Sequence, residues 1–240
     1  MKNVFITGGD KGIGRAIAEL LAKLEYKVII TYKSNHVGAD SLMLQYPNVK
    51  AYQCDMQDKT GICKVANDVL SQYGSIDILI NNAGFENDNT VVRMSDDQWE
   101  SVLDVDLHSL FYTTKCFVPM MIESGWGRII NMSSILGYTG VYGGANYATA
   151  KAGVVGFTKS LALELGGKGI TVNAIAPGLI ETDLLIRMPE KYRERLREKV
   201  PSHQFGKPKD IANLVEFLVS DKASYINGQT IHVNGGMYAV

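Results

Sequence analysis

The chain has 240 residues, 46% of them apolar, with 24 basic against 25 acidic side chains and a formal charge of −1. That length suits one large α/β domain able to bury a sizeable core. The even charge balance excludes a large attractive field for nucleic acid or an anionic membrane, so neither is expected as a partner. Cys54, Cys63 and Cys116 are too dispersed for a disulfide framework or a zinc site, which makes a reducing cytoplasm the expected setting. His36, His108, His203 and His232 form no local ligand pattern, and no metal is expected. No apolar run is long enough to span a bilayer and no signal-peptide pattern opens the sequence, so a soluble intracellular protein is expected.

In chain order, a strand-like run at Val4–Thr7 leads through a glycine-rich turn into a helix over 13–25. Strands at Val28–Tyr32 and Val49–Cys54 flank a helix over 38–46, and a helix over 58–73 leads to a strand at Ile76–Asn81. A long helix over 96–124 precedes the strand Arg128–Ser133. A helix over 147–166, a strand at Ile170–Ala176, a helix over 208–219 and a strand at Thr230–Val233 complete the series. Strands this short and apolar suit a parallel sheet covered on both faces, and their alternation with helices indicates repeated βαβ units. The expected fold is therefore α/β, a doubly wound (Rossmann) seven-stranded parallel sheet with helices on both faces and ligands at the carboxyl ends of the strands. With no repeat, low-complexity tract or Pro/Gly/Ser linker, residues 1–240 read as a single domain.

Glu181 to Gly206 interrupts the alternation with a highly charged run, Lys191-Tyr192-Arg193-Glu194-Arg195-Leu196-Arg197-Glu198-Lys199, between Pro189 and Pro201. Following a strand end where ligand is expected, it reads as a lid over about 181–206. A solvated surface helix with no gating role is the alternative.

Thr7-Gly8-Gly9-Asp10-Lys11-Gly12-Ile13-Gly14 places glycines where a strand turns tightly into a helix. A helix start of this kind presents free N–H groups and a positive dipole end to a pyrophosphate. Gly8, Asp10, Lys11, Gly12, Ile13 and Gly14 are accordingly candidate cofactor-binding residues. An acid at the end of the second strand would pair with ribose hydroxyls, but that end reads Thr31-Tyr32-Lys33-Ser34. Lys33 and Lys11 could instead meet a 2′-phosphate as point charges, which favours NADPH. Asp10 is a counterweight, and the alternative for each lysine is a solvated surface position.

Tyr147-Ala148-Thr149-Ala150-Lys151 sets a cation one helical turn from a phenol, with Ser134 upstream. Tyrosine is a poor acid, of reference pKa about 10, and a nearby cation favours its phenolate. A serine hydroxyl beside it could hold a carbonyl oxygen while a hydride arrives from a nicotinamide. These parts read as a carbonyl reductase.

The Gly-x-x-x-Gly-x-Gly spacing resembles the short-chain dehydrogenase/reductase family, and the resemblance covers essentially the whole chain. Asn81-Asn82-Ala83-Gly84 after the fourth strand, Asp55 after the third, Pro177-Gly178-Leu179-Ile180-Glu181-Thr182 and the set Ser134, Tyr147 and Lys151 all match its ordered motifs. The resemblance implies that Asp55 and Met56 lie at the adenine, that Asn82, Ala83 and Gly84 line the cofactor, and that Pro177, Gly178, Ile180 and Thr182 lie near the nicotinamide carboxamide. It assigns Tyr147 as general acid, with Lys151 lowering its pKa and binding the ribose and Ser134 orienting the carbonyl. The family's fourth catalytic position is an asparagine, where this chain has Asp106. A backbone role survives that change, but a carboxylate only accepts hydrogen bonds whereas an amide also donates. Two outcomes stay open: Asp106 is tolerated, paired through water with Lys151, or its charge raises the tyrosine pKa and slows the enzyme.

Within this family the chain resembles the β-ketoacyl-acyl-carrier-protein reductases, through Asp88-Asn89, Arg93-Met94, Trp99, Gly127-Arg128-Ile129-Ile130-Asn131, Gly144-Ala145-Asn146-Tyr147-Ala148 and His232-Val233-Asn234-Gly235-Gly236-Met237-Tyr238. The implied reaction is NADPH-dependent reduction of 3-oxoacyl-ACP to 3-hydroxyacyl-ACP, by a homotetramer, in fatty-acid or related acyl-chain biosynthesis. An acidic carrier protein calls for a basic rim near the cleft, for which Lys168 and the arginines Arg187, Arg193 and Arg197 are candidates. The apolar end Met237-Tyr238-Ala239-Val240 would lie at a subunit interface, or else fold back on its own chain. An acetoacetyl-CoA or general ketone reductase would share these residues. A cofactor-binding, catalytically weak subunit of a mixed oligomer is an alternative of another class, favoured only by Asp106.

Overall fold

Strands that are apolar on both faces must be covered on both, and in the computed structural model each central strand is. The structure describes residues 1–239, leaving out the side chain of Leu184. Val240, the last residue of the apolar C-terminal run, lies outside the described residues. The strands are β1 (Asn3–Ile6), β2 (Lys27–Tyr32), β3 (Val49–Gln53), β4 (Ile78–Asn81), β5 (Gly127–Met132), β6 (Ile170–Pro177) and β7 (Thr230–Val233). They form one parallel sheet in the order β3-β2-β1-β4-β5-β6-β7. β1, β4, β5 and β6 are buried along their whole length.

The helices are α1 (Gly12–Lys23), α2 (His36–Gln45), α3 (Lys59–Tyr73), α4 (Asp96–Leu103), α5 (Ser109–Ser124), α6 (Leu136–Thr139), α7 (Ala145–Leu165), α8 (Asp183–Ile186), α9 (Glu190–Glu198) and α10 (Pro208–Val219). On one face Ile17, Leu21, Leu42, Ile211 and Val215 from α1, α2 and α10 pack on Ile6, Ile30 and Ile80. On the other, Ile62, Phe117, Met121 and Leu165 from α3, α5 and α7 pack on Phe5, Ile29 and Leu79. Each such side chain, fully buried, contributes about 1.5–3 kcal/mol. Strand order reverses about the sheet centre, where β1 and β4 lie side by side and successive strands are added outward on either side, so the crevice opens beyond their carboxyl ends.

The helix expected over 96–124 is interrupted. Between α4 and α5, Asp104–His108 forms a π-helical turn closed by a hydrogen bond from the Ser109 N–H to the Asp104 carbonyl. The wider turn changes which side chains face inward, and Asp106 is buried there. The segment expected to form a lid carries α8 and α9, with Leu185, Val200 and Phe205 gathered in a small apolar cluster of their own. A parallel bridge between Ile180 and Gly206 closes its base.

Candidate active site

Two hydrogen-bonded junctions build the crevice. Thr7, just past β1, accepts at Oγ1 from the N–H groups of Asn82 and Ala83, both at 2.9 Å. The Asn82 amide donates to the carbonyls of Thr7 (3.0 Å) and Gly8 (2.9 Å). Gly8 and Gly12 adopt φ of 65° and 55°, a left-handed conformation that favours glycine. A Cβ on Gly14 would collide with the Gly8 carbonyl oxygen, so only glycine lets α1 start against this turn. A Cβ on Gly12 would stand 3.4 Å from the Thr182 methyl group, so the glycine turn and the Pro177–Thr182 loop face one another. Backbone closeness and a helix start together make a cradle that fits the pyrophosphate of a dinucleotide.

Around that cradle the expected residues gather. Asp10 is buried and accepts from the Asn35 amide at 3.1 Å, while Asn35 Oδ1 caps α2 through the Gly38 N–H. Exposed Lys33 places Nζ 2.7 Å from Asp55 Oδ2 and donates to Gln57 Oε1 at 3.3 Å. Burial pushes the Asp55 carboxyl up, but hydrogen bonds from Lys33 and the Gln57 N–H leave it below the usual carboxylate range. Met56 is buried, with its sulfur 3.8 Å from the Thr31 hydroxyl. Lys11 is exposed, with Ile13 partly buried behind it at the start of α1. The Gly178 N–H donates to the Val233 carbonyl at 2.9 Å, and Ile180 is buried.

Tyr147 stands in the first turn of α7 and Lys151 one turn on. Asn146, fully buried, fixes that turn: its amide donates to the carbonyls of Asn87 (3.1 Å) and Gln98 (3.0 Å), and its Oδ1 accepts from the Tyr147 N–H at 2.8 Å. Ser134 Oγ accepts from the Leu136 N–H at 3.1 Å, and its hydroxyl lies against the phenol of Tyr147. Ser133 is occupied elsewhere, donating to the Lys151 carbonyl at 2.8 Å. Lys151 is 3% exposed; its Nζ donates to the Met132 carbonyl at 3.0 Å and lies 5.4 Å from the Tyr147 ring centre.

Asp106, 2% exposed, contacts Lys151 directly, with Oδ1 2.9 Å from Nζ, so the water bridge weighed from the sequence is not needed. The two groups are an ion pair at hydrogen-bonding distance. Oδ2 accepts from the Phe85 N–H at 3.0 Å. A Cβ on Gly84 would come within 2.5 Å of Asp106 Oδ1 and 3.2 Å of Lys151 Nζ, so the glycine leaves room for the ion pair.

Opposing influences act on the Tyr147 phenol. Burial pushes Tyr147 up; Lys151 pulls it down, Asp106 and Glu86 push it up again, the Ser134 hydrogen bond pulls it down, and the net displacement is upward. Burial alone would lower Lys151, but Asp106 and the phenol oxygen outweigh it and the ammonium is held above its ordinary value. Glu86 is also displaced upward, by burial and then by Asp88 and Asp106.

The basic residues weighed for carrier docking lie on two parts of the fold. Lys168 precedes β6 at its amino end, about 25 Å of strand from Pro177, so within one chain it is not on the rim of this crevice. Arg193 and Arg197 pair with Glu190 at 2.9 and 3.6 Å within α9. One cleft, about 440 Å³, lies at the amino ends of β5 and β6 around Trp126 and Arg128, at the opposite end of the sheet from Tyr147. Another, about 350 Å³, lies under the 181–206 segment between Leu179, Phe205, Val233 and Asn234. The sequence motifs included Asn81, Asn131 and Asn146 but not their roles: Asn146 as the clamp on α7, and a buried chain from Asn81 through Asn131 to Thr158. Asparagines interrupting apolar strands were the available signal, because buried amides are hydrogen-bonded.

A doubly wound parallel sheet with a glycine cradle at its crevice and a Ser, Tyr, Lys group beyond β5 defines a class of nicotinamide-dependent oxidoreductases. The chain belongs to the short-chain dehydrogenase/reductase family: residues 8–238 match the family model described as "Enoyl-(Acyl carrier protein) reductase". It is 42% identical over 241 residues to the 3-oxoacyl-[acyl-carrier-protein] reductase FabG of Staphylococcus aureus, covering 99% of this chain and 98% of that one. The protein of the same name from Salmonella typhimurium is 43% identical over 239 residues, covering 100% and 98%. No helix among the described residues is long and apolar enough to cross a membrane.

Proposed function

We propose that the protein reduces 3-oxoacyl thioesters of acyl carrier protein to 3-hydroxyacyl thioesters with NADPH, in fatty-acid or related acyl-chain biosynthesis in the cytoplasm. The observation that carries this reading is the Ser134 hydroxyl lying against the Tyr147 phenol, two donors that one carbonyl oxygen can reach. When bound, the nicotinamide supplies the hydride. As the carbonyl carbon gains it, negative charge grows on the oxygen, and preplaced donors stabilise that charge more than they stabilise the ground state. Ser134 holds the oxygen while the Tyr147 O–H gives its proton, leaving an alcohol. Lys151, buried one turn behind, stabilises the phenolate left after transfer. Full-length relatives named for 3-oxoacyl-carrier reduction support the substrate class.

NADPH is favoured because the end of β2 and the residues after it read Thr31-Tyr32-Lys33-Ser34 with no acid, and Lys11 and Lys33 are both exposed on the cofactor side. Lys11→Ala and Lys33→Ala are each expected to raise KM for NADPH roughly tenfold or more and to leave KM for NADH nearly unchanged. Lys33→Ala has the larger effect because it also frees Asp55 to repel the 2′-phosphate. Steady-state kinetics with both cofactors measures this, and equal effects on the two would end the NADPH assignment.

Phe111 and Ile122 on α5, Leu163 on α7 and Phe217 on α10 are apolar and exposed, which supports a homotetramer. The substrate is tested by following NADPH oxidation with acetoacetyl-CoA, 3-oxoacyl-carrier and enoyl-carrier thioesters. The expected order has 3-oxoacyl-carrier fastest and no enoyl reduction. Equal rates on carrier and CoA would point to a general ketone reductase, and no turnover would point to a cofactor-binding subunit.

A further inference from the structure

Asp106 and Lys151 form an ion pair closed to solvent, 2% and 3% exposed, directly behind the Tyr147 ring. The Phe85 N–H fixes the carboxylate from one side and the bare Cα of Gly84 admits it from another. An amide of the same shape at position 106 would be neutral and leave the ammonium field at the phenol uncompensated. Facing Asp106 are Lys151 and Tyr147 from α7, and Glu86 with Asp88 beside it from the segment after β4. Asp104 and His108, on the same π turn, pair with each other at 2.8 Å. With the phenol protonated, Lys151, Asp106 and Glu86 together carry one negative charge; ionising Tyr147 makes it two.

We propose that Asp106 is a positioning residue that cancels the Lys151 ammonium and, with a smaller share from Glu86, keeps Tyr147 a phenol into more alkaline solution than an amide at position 106 would allow. The site thereby retains its proton donor at alkaline pH and gives up part of the acidity that a bare lysine would confer. Burial acts in the same sense, since it also disfavours the phenolate. The inference rests on Tyr147 being the proton donor in carbonyl reduction.

The test is a Tyr147 titration in the full chain without substrate, with ¹³Cζ-labelled tyrosine and Tyr147→Phe to assign the resonance. Asp106→Asn is expected to lower the phenol midpoint by about one pH unit or more, and Glu86→Gln to lower it by less. The alkaline limb of kcat/KM for ketone reduction moves down by the same amount in each variant. Because the equilibrium is fixed, the acid limb of alcohol oxidation moves with it. A purely structural role would reduce rates without moving the limb. A midpoint unchanged or raised in Asp106→Asn overturns the proposal. Should that variant not fold, an unmoved midpoint in Glu86→Gln does so. If wild type reduces no ketone yet the midpoint still falls, the fault lies with the assigned reaction and not with the role of Asp106.

Discussion

Tyr147→Phe is expected to reduce carbonyl turnover by about 10²–10⁴-fold, the usual contribution of a positioned general acid. The ring stays, so the packing of the first turn of α7 stays, and Asn146 still holds that turn through Asn87, Gln98 and the backbone of residue 147. NADPH binding, followed by fluorescence titration, is expected within a few-fold of wild type. The loss therefore appears in kcat and in kcat/KM together, as for an interaction made in the transition state. Ser134→Ala is a weaker version of the same change, because the phenol remains able to donate. A Tyr147→Phe enzyme keeping more than a tenth of wild-type turnover would remove the phenol from the reaction.

Lys151→Met is the second large effect, and stability reports it as well as rate. The substitution keeps much of the side-chain volume but leaves the Asp106 carboxylate buried and unpaired. Breaking a buried pair from one side costs about 3–5 kcal/mol. For a chain of this length that corresponds to a Tm lower by roughly 10 °C. The pH dependence has a definite sign. Burial raises the Asp106 carboxyl, and without Lys151 the chief opposing influence is gone. A carboxyl whose folded pKa lies above its unfolded value, about 3.9, binds its proton more tightly in the folded state. The variant is therefore least impaired below about pH 4, and its deficit grows as pH rises toward the folded pKa of Asp106. Thermal unfolding from acid to neutral pH measures this. Adding Asp106→Leu is expected to recover most of the stability and none of the activity. A variant as stable as wild type at pH 7 would show that the pair carries little strain when broken.

The seven strands were legible to within two residues because apolar runs bounded by turn formers have few other ways to be buried. The glycine turn was legible for a similar reason, since Gly8 and Gly12 take conformations that few other residues tolerate. The helix over 96–124 misled because its composition is helical throughout; the π turn at Asp104–His108 lies against α7, a tertiary contact that no local propensity encodes. The partners of Lys33 and Asp10 were hidden too, as each is engaged by a residue from another loop.

What the sequence alone determined is the fold class, the cradle and the side chains gathered near Tyr147, because strand patterning and fixed helical spacing are local properties. What only the tertiary structure decided is how those side chains set one another's charge. Asp106 lies forty-five residues from Lys151 in the chain, yet stands 2.9 Å from its ammonium in a place water does not reach. Burial and proximity of that kind arise when α7, the π turn and the segment after β4 meet, and they set whether the phenol keeps its proton.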